Sequence, residues 1–144
     1  MKLEEIHELW SQDCAMNRHD LSEEALKIPK MHSKYLRFYS EEKMILKKMT
    51  QDFKQLALLK FDYYRGVLPD EDLREQGWEP FRMSVLKSDV DKYLEADQDI
   101  IKFNLKISVQ QEKVDTLEAI IKSISNRGFL IKSAIDFEKF KVGG

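Results

Sequence analysis

The chain has 144 residues, 42% apolar and 35% charged, with a net charge of −2, five Gly, three Pro and one Cys. That length and apolar content describe one domain with a real core, while so few Gly and Pro exclude a loop-dense sandwich or barrel. Lone Cys14 excludes a disulfide framework or multi-cysteine zinc site, and no apolar run approaches the ~18–20 residues of a membrane span. A soluble, all-α protein of a reducing compartment is expected, with no membrane association.

Leu3, Ile6, Leu9 and Trp10 give the spacing of a short amphipathic helix over residues 2–16. Asp20 with Glu23 three residues later has the form of a capping box, so a second helix should begin near Leu21. Pro29 then either kinks this helix or sits in the first turn of a new one. Met31 to Tyr64 contains neither Gly nor Pro. With Tyr35, Glu42, Met49, Leu56 and Tyr63 at a, and Met31, Phe38, Ile45, Asp52 and Leu59 at d, eight of ten seam positions are apolar. This predicts one helix of roughly 50 Å, ended by Gly66.

Pro69-Asp70-Glu71-Asp72 has the acids of a helix first turn, with Gly77 as the stop. Trp78 and Phe81 are expected to cap a core edge. Ser88 should open the second long helix, because Tyr93, Ile100, Ile107, Val114 and Ile121 recur every seven residues. Ala96, Phe103, Gln110, Leu117 and Ile124 fill the positions three later, with Gln110 the polar register setter. Asn126-Arg127-Gly128 predicts a C-terminal stop, followed by a short terminal helix from Leu130 through Phe140. The expected fold is two long helices in a hairpin-like arrangement, with short N-terminal, connecting and C-terminal helices.

These seams, with a further terminal stripe from Leu130 to Phe140, offer more apolar surface than one thin bundle needs. A homo-oligomer is therefore expected, built on Val114, Leu117, Ile121, Ile124, Ile131 and Ile135.

Enzyme signatures do not accumulate. Glu4-x-x-His7 has the spacing of a ferritin-like iron ligand pair but lacks the second copy and further glutamates such a site needs. His7, Cys14, His19 and His32 lack zinc-ligand spacing, and there is no phosphate loop, nucleophile elbow or dinucleotide fingerprint. No catalysis, metal or cofactor is expected.

Charge is strongly segregated. Residues 1–26 are net −5, residues 27–66 net +6, residues 67–99 net −6 and residues 100–144 net +3. Segregation of this kind either holds neighbouring helices together or makes residues 27–66 an anion-binding face. Lys47 and Lys54 share an outward row with Phe61, Lys60 flanks the seam, and Tyr63-Tyr64-Arg65-Gly66 closes the helix. Lysines with nearby aromatics are what single-strand binders use for phosphates and base stacking. The candidate DNA-binding residues are Lys47, Lys54, Lys60, Tyr64 and Arg65, with Lys102, Lys106 and Lys113 as the alternative set should these only pair with nearby acids.

Phe61-Asp62-Tyr63-Tyr64-Arg65-Gly66 resembles the Leu-Asp-Tyr-Tyr-x-Gly run of the UvsY family, the recombination mediators of T-even-type bacteriophages. Leu94-x-Ala96-Asp97-x-Asp99 with Lys102 resembles the family's central motif. Arg127-Gly128-Phe129-x-Ile131-Lys132 with Asp136 and Phe140 resembles its C-terminus. The resemblance implies a non-enzymatic accessory protein in the cytoplasm of an infected bacterium. It implies a ring-like homo-heptamer that binds single-stranded DNA and contacts both a UvsX-like recombinase and the phage single-strand-binding protein. Two basic DNA-site positions of the family fall on Leu58 and Lys60, so only Lys60 keeps the charge. Residues 1–92 would then carry the basic DNA-binding helix and acidic connector, and residues 93–144 the oligomerisation region. A helical scaffold acting only through protein contacts is the competing class.

Overall fold

The computed structural model describes residues Met1–Gly143, and every regular element among them is helical. The order is α1 (Leu3–Asp13), α2 (Leu21–Leu26), α3 (Ile28–Tyr64), α4 (Asp70–Gln76), a 3₁₀ turn (Lys87–Asp89), α5 (Val90–Ala96) and α6 (Gln98–Lys141). By packing, the chain divides into one compact unit of Met1–Ile45 with Val109–Gly144, and another of Leu46–Ser108. Both long helices contribute to both units. This is a different division from the functional one at residues 92 and 93.

The first unit is built on Ile6, Tyr35, Leu117, Ile120 and Ile124, all buried, with Trp10, Met31, Phe38 and Ile121 packed on them. Trp10 meets Tyr35 edge-on with centroids 5.5 Å apart, and Tyr35 meets Phe38 the same way at 5.7 Å. The Tyr35 hydroxyl donates to Asp13 Oδ2 at 2.8 Å, and Lys34 Nζ reaches the same oxygen at 2.7 Å. Inside the seam, the Gln110 side-chain amide donates to Glu42 Oε2 at 2.6 Å and to the Glu42 carbonyl at 2.9 Å. These two polar seam residues therefore satisfy each other, while the third, Asp52, pairs with Lys48. Any slip of register would leave Glu42 and Gln110 buried and unpaired, at a cost of about 1–3 kcal/mol or more. Gln110 by Glu42 and Gly128 by Ile28 make this an antiparallel pairing.

Three expectations about boundaries need correction. Leu21 does open α2, but the Asp20 side chain makes no capping bond, so the capping box is not formed. Glu24 is instead drawn into the core by Arg127, 3.3 Å away. The second long helix does not run unbroken from Ser88, because Asp97 takes an extended backbone and separates α5 from α6. Its carboxylate accepts the Ile100 N–H at 2.9 Å, an N-cap that starts α6.

The stop expected at Asn126-Arg127-Gly128 is absent. Helix α6 passes through Gly128 and ends at Lys141, so there is no separate C-terminal helix. Gly66 and Gly77 show what a real stop requires here. Both have positive φ, at 72° and 73°, with Val67 N–H donating back to Asp62 and Trp78 N–H to Leu73. Gly128 lacks that conformation because its neighbours need a helical register. Arg127 is 4% exposed, donating to the Cys14 and Ala15 carbonyls and to Glu24, and Ile131 is buried one turn on.

A Cβ added at Gly128 would meet nothing closer than Ile28 Cδ1 at 3.9 Å. Gly128→Ala is therefore expected to raise stability by about 0.5–1 kcal/mol, measured by denaturant melts. A loss of stability would mean that the glycine is needed for a closer approach than this packing contains.

Candidate nucleic-acid interface

Within the second unit, the C-terminal half of α3 has two faces of opposite character. On one, Lys47, Lys54, Leu58, Phe61 and Arg65 follow one another at intervals of seven, four, three and four residues, which places them along one side of the helix. Lys47, Lys54 and Arg65 are exposed, and none has an ion-pair partner among the described residues. Leu58 is 63% exposed. The Arg65 guanidinium lies 5.4 Å from the centroid of the Phe61 ring.

The other face is closed. Lys60 is 5% exposed, with Nζ 3.1 Å from Asp97 and 2.8 Å from Asp99, and lies 4.0 Å over the Trp78 ring. The Tyr64 hydroxyl donates to Asp97 at 2.5 Å, and its ring packs against Tyr63, Phe81 and Tyr93 at 4.9–5.5 Å between centroids. Of the two expected as DNA contacts, Lys60 is thus buried and Tyr64 half-buried with its hydroxyl and ring both engaged. A neighbouring aromatic cluster and two acids take them up, and this acid pairing is the alternative that the charge segregation allowed.

The electrostatics follow from these contacts. Burial alone would raise the Asp97 carboxyl, but the Tyr64 hydroxyl, the Ile100 N–H and the Lys60 ammonium outweigh it and hold it below its ordinary value. Burial and the Asp97 carboxylate push the Tyr64 phenol above its ordinary range, so it stays a donor. Asp97 therefore does three things at once, since it caps α6, receives Tyr64 and neutralises Lys60. The sequence marked it only as part of a family motif. An N-cap Asp ahead of an apolar-periodic run was the available signal, hidden because the seven-residue repeat from Tyr93 to Ile100 runs across the break.

Of the alternative lysines, Lys102 and Lys106 are exposed on the first turns of α6, and Lys113 is half-buried. The residues expected to build an oligomer are also placed differently. Val114, Leu117, Ile124 and Ile131 are buried in the chain's own packing, and Ile121 and Ile135 are half-buried. They face inward because the antiparallel α3 partner and α1 already cover that side of α6. The exposed apolar surface of α6 is another set, with Phe129 at 69%, Leu130 at 46%, Phe137 at 58% and Phe140 at 78% exposure.

Glu4 and His7 are both exposed on α1, and no group of three His, Cys, Asp or Glu suited to a metal occurs among the described residues. No helix among them is long and apolar enough to cross a membrane.

A helical chain with an exposed run of cations beside a buried lysine–aspartate pair has the features of a nucleic-acid accessory protein. Residues 9–144 match the family model of the recombination, repair and ssDNA binding protein UvsY, so the chain belongs to the UvsY family. It is 25% identical to the recombination protein uvsY of Enterobacteria phage T4 over 143 residues, covering 99% of both chains. Two crystal structures of the bacteriophage T4 recombination mediator protein UvsY match the fold. The lattice type II structure has a TM-score of 0.84 at 26% identity, covering 99% of this chain and 98% of that one. The lattice type IV structure has a TM-score of 0.84 at 24% identity, covering 97% and 99%.

Proposed function

We propose that this protein is a recombination mediator that binds single-stranded DNA and helps load a recombinase onto strands covered by single-strand-binding protein. The cytoplasm of an infected bacterium is where it would act. The observation that carries the reading is the run of unpaired cations Lys47, Lys54 and Arg65 on one exposed face of α3. Family membership supports single-stranded DNA as the ligand, since the family is that of a recombination, repair and ssDNA binding protein. The partners that the family resemblance implies, a UvsX-like recombinase and the phage single-strand-binding protein, would meet other surfaces of the same particle.

Three cations per chain give weak capture. A ring-like homo-oligomer, as the family resemblance implies with seven copies, makes the second and later contacts intramolecular and raises affinity through effective concentration. The exposed Leu130, Phe137 and Phe140 near the end of α6 are the surface proposed for that assembly.

Lys54→Ala and Arg65→Ala should each weaken single-strand binding and flatten the dependence of log affinity on log salt. The slope should fall by at least the ~0.7 expected for one phosphate contact, and by more in an oligomer where every copy loses its contact. Salt titration by fluorescence anisotropy measures both quantities. Unchanged slopes in both variants would remove α3 as the DNA face and move the test to Lys102 and Lys106. A parent chain with no salt-dependent binding would favour the scaffold class.

A further inference from the structure

We infer that Leu58 and Phe61 form a base-contacting patch, and that unpaired bases pack on them while Lys54 and Arg65 hold the phosphates on either side. This deepens the single-strand reading above and rests on it. The pattern along the helix is cation, aliphatic, aromatic, cation at positions 54, 58, 61 and 65, each step close to one turn or roughly 5 Å along the axis. Duplex DNA hides its base faces inside the stack, so an apolar pair between two cations suits a strand whose bases are free.

Three observations separate this patch from ordinary surface. Leu58 is 63% exposed on a helix whose other side is closed, and so contributes little to the fold. Phe61 is half-buried, as Tyr64 is, but pairs with no other ring among the described residues, whereas Tyr63, Tyr64, Trp78, Phe81 and Tyr93 are all taken up in one cluster. Its companion is the cation of Arg65, 5.4 Å from the ring centroid, and a guanidinium with a ring is the pairing that also receives a base. The charge at the patch fits a polyanion, because Lys54 and Arg65 lack acidic partners among the described residues.

The test compares binding of an oligodeoxythymidylate with binding of an abasic strand of the same length, which keeps the phosphates and lacks the bases. Phe61→Ala and the conservative Phe61→Leu should lose at least about fivefold in affinity on oligodeoxythymidylate and nothing on the abasic strand, with the salt slope unchanged. Leu58→Ala should act in the same direction with a smaller loss. Lys54→Ala should weaken binding to both strands. Ultraviolet crosslinking of 5-iodouracil strands should map to Phe61 rather than Tyr64. Equal losses on both strands, affinities matching the parent, or a fall in native particle mass on Phe61→Leu would each overturn the patch, the last by making it a subunit interface. A parent chain that binds neither strand would overturn the DNA reading itself, and the patch with it.

Discussion

Leu117→Asp is expected to unfold the chain rather than to release intact subunits. Leu117 is fully buried between Tyr35, Ile6 and Ile124, so the change both leaves a cavity and places a carboxylate among apolar side chains. Together these cost at least about 4 kcal/mol, a large fraction of the roughly 5–15 kcal/mol by which a domain is stable. Circular dichroism should show lost helix content at temperatures where the parent is folded. The contrasting variant is Phe137→Ser with Phe140→Ser, which touches only exposed rings. That double change should leave helix content alone and lower the native mass measured by light scattering. A full-size particle from it would remove the end of α6 as the assembly surface.

These two variants separate what one apolar repeat conflates. A seven-residue period identifies a face that must be covered, and it does so here, since Val114, Leu117 and Ile124 are all buried. The period does not say whether the covering surface belongs to the same chain. Here α3 and α1 supply it, through Tyr35 and Ile6. The surplus lies on Phe137 and Phe140, which the repeat passes over because they fall outside its positions.

The all-α class, the extent of α3 and the helix at Asp70–Gln76 were legible because each has a local cause. Absence of Gly and Pro lets α3 run, and Gly66 and Gly77 end helices by adopting positive φ. Gly128 read as the same signal and is not one, because the decision there is tertiary. Arg127 is fixed by carbonyls more than a hundred residues away, and no window around position 128 contains them. Asp97 failed in the opposite direction, since a sound local cap was masked by a repeat that continued through it. The cationic face was half legible. Lys47, Lys54 and Arg65 lie where helical spacing put them, while Lys60, one position outside the seam, is closed off by acids 37 and 39 residues further on.

Lys60 carries the second large effect. Lys60→Ala is expected to destabilise the fold by about 3 kcal/mol, because it removes the cation facing Asp97 and leaves that carboxylate buried. The loss falls at the lower end of the range for broken buried pairs. Asp99 is half exposed, and Asp97 keeps the Tyr64 hydroxyl and the Ile100 N–H. The pH dependence has a definite sign. In the parent, Asp97 titrates below its ordinary value, so its contribution is fully present above the unfolded value of about 4 and is lost as pH falls through the depressed folded value. In Lys60→Ala the carboxylate has lost its cation and takes up its proton at higher pH. The stability gap between the two proteins should therefore be widest near neutral pH and narrow in acid, as denaturant melts across that range would show. Asp97→Asn should remove most of the dependence. Lys60→Ala also decides whether the closed face ever opens to DNA. With Lys60 held by Asp97 and Asp99, the salt slope of strand binding should stay at the parent's value. A slope lower by a contact's worth would mean that the strand competes with those two carboxylates for Lys60, and the buried pair would then be a latch that DNA releases.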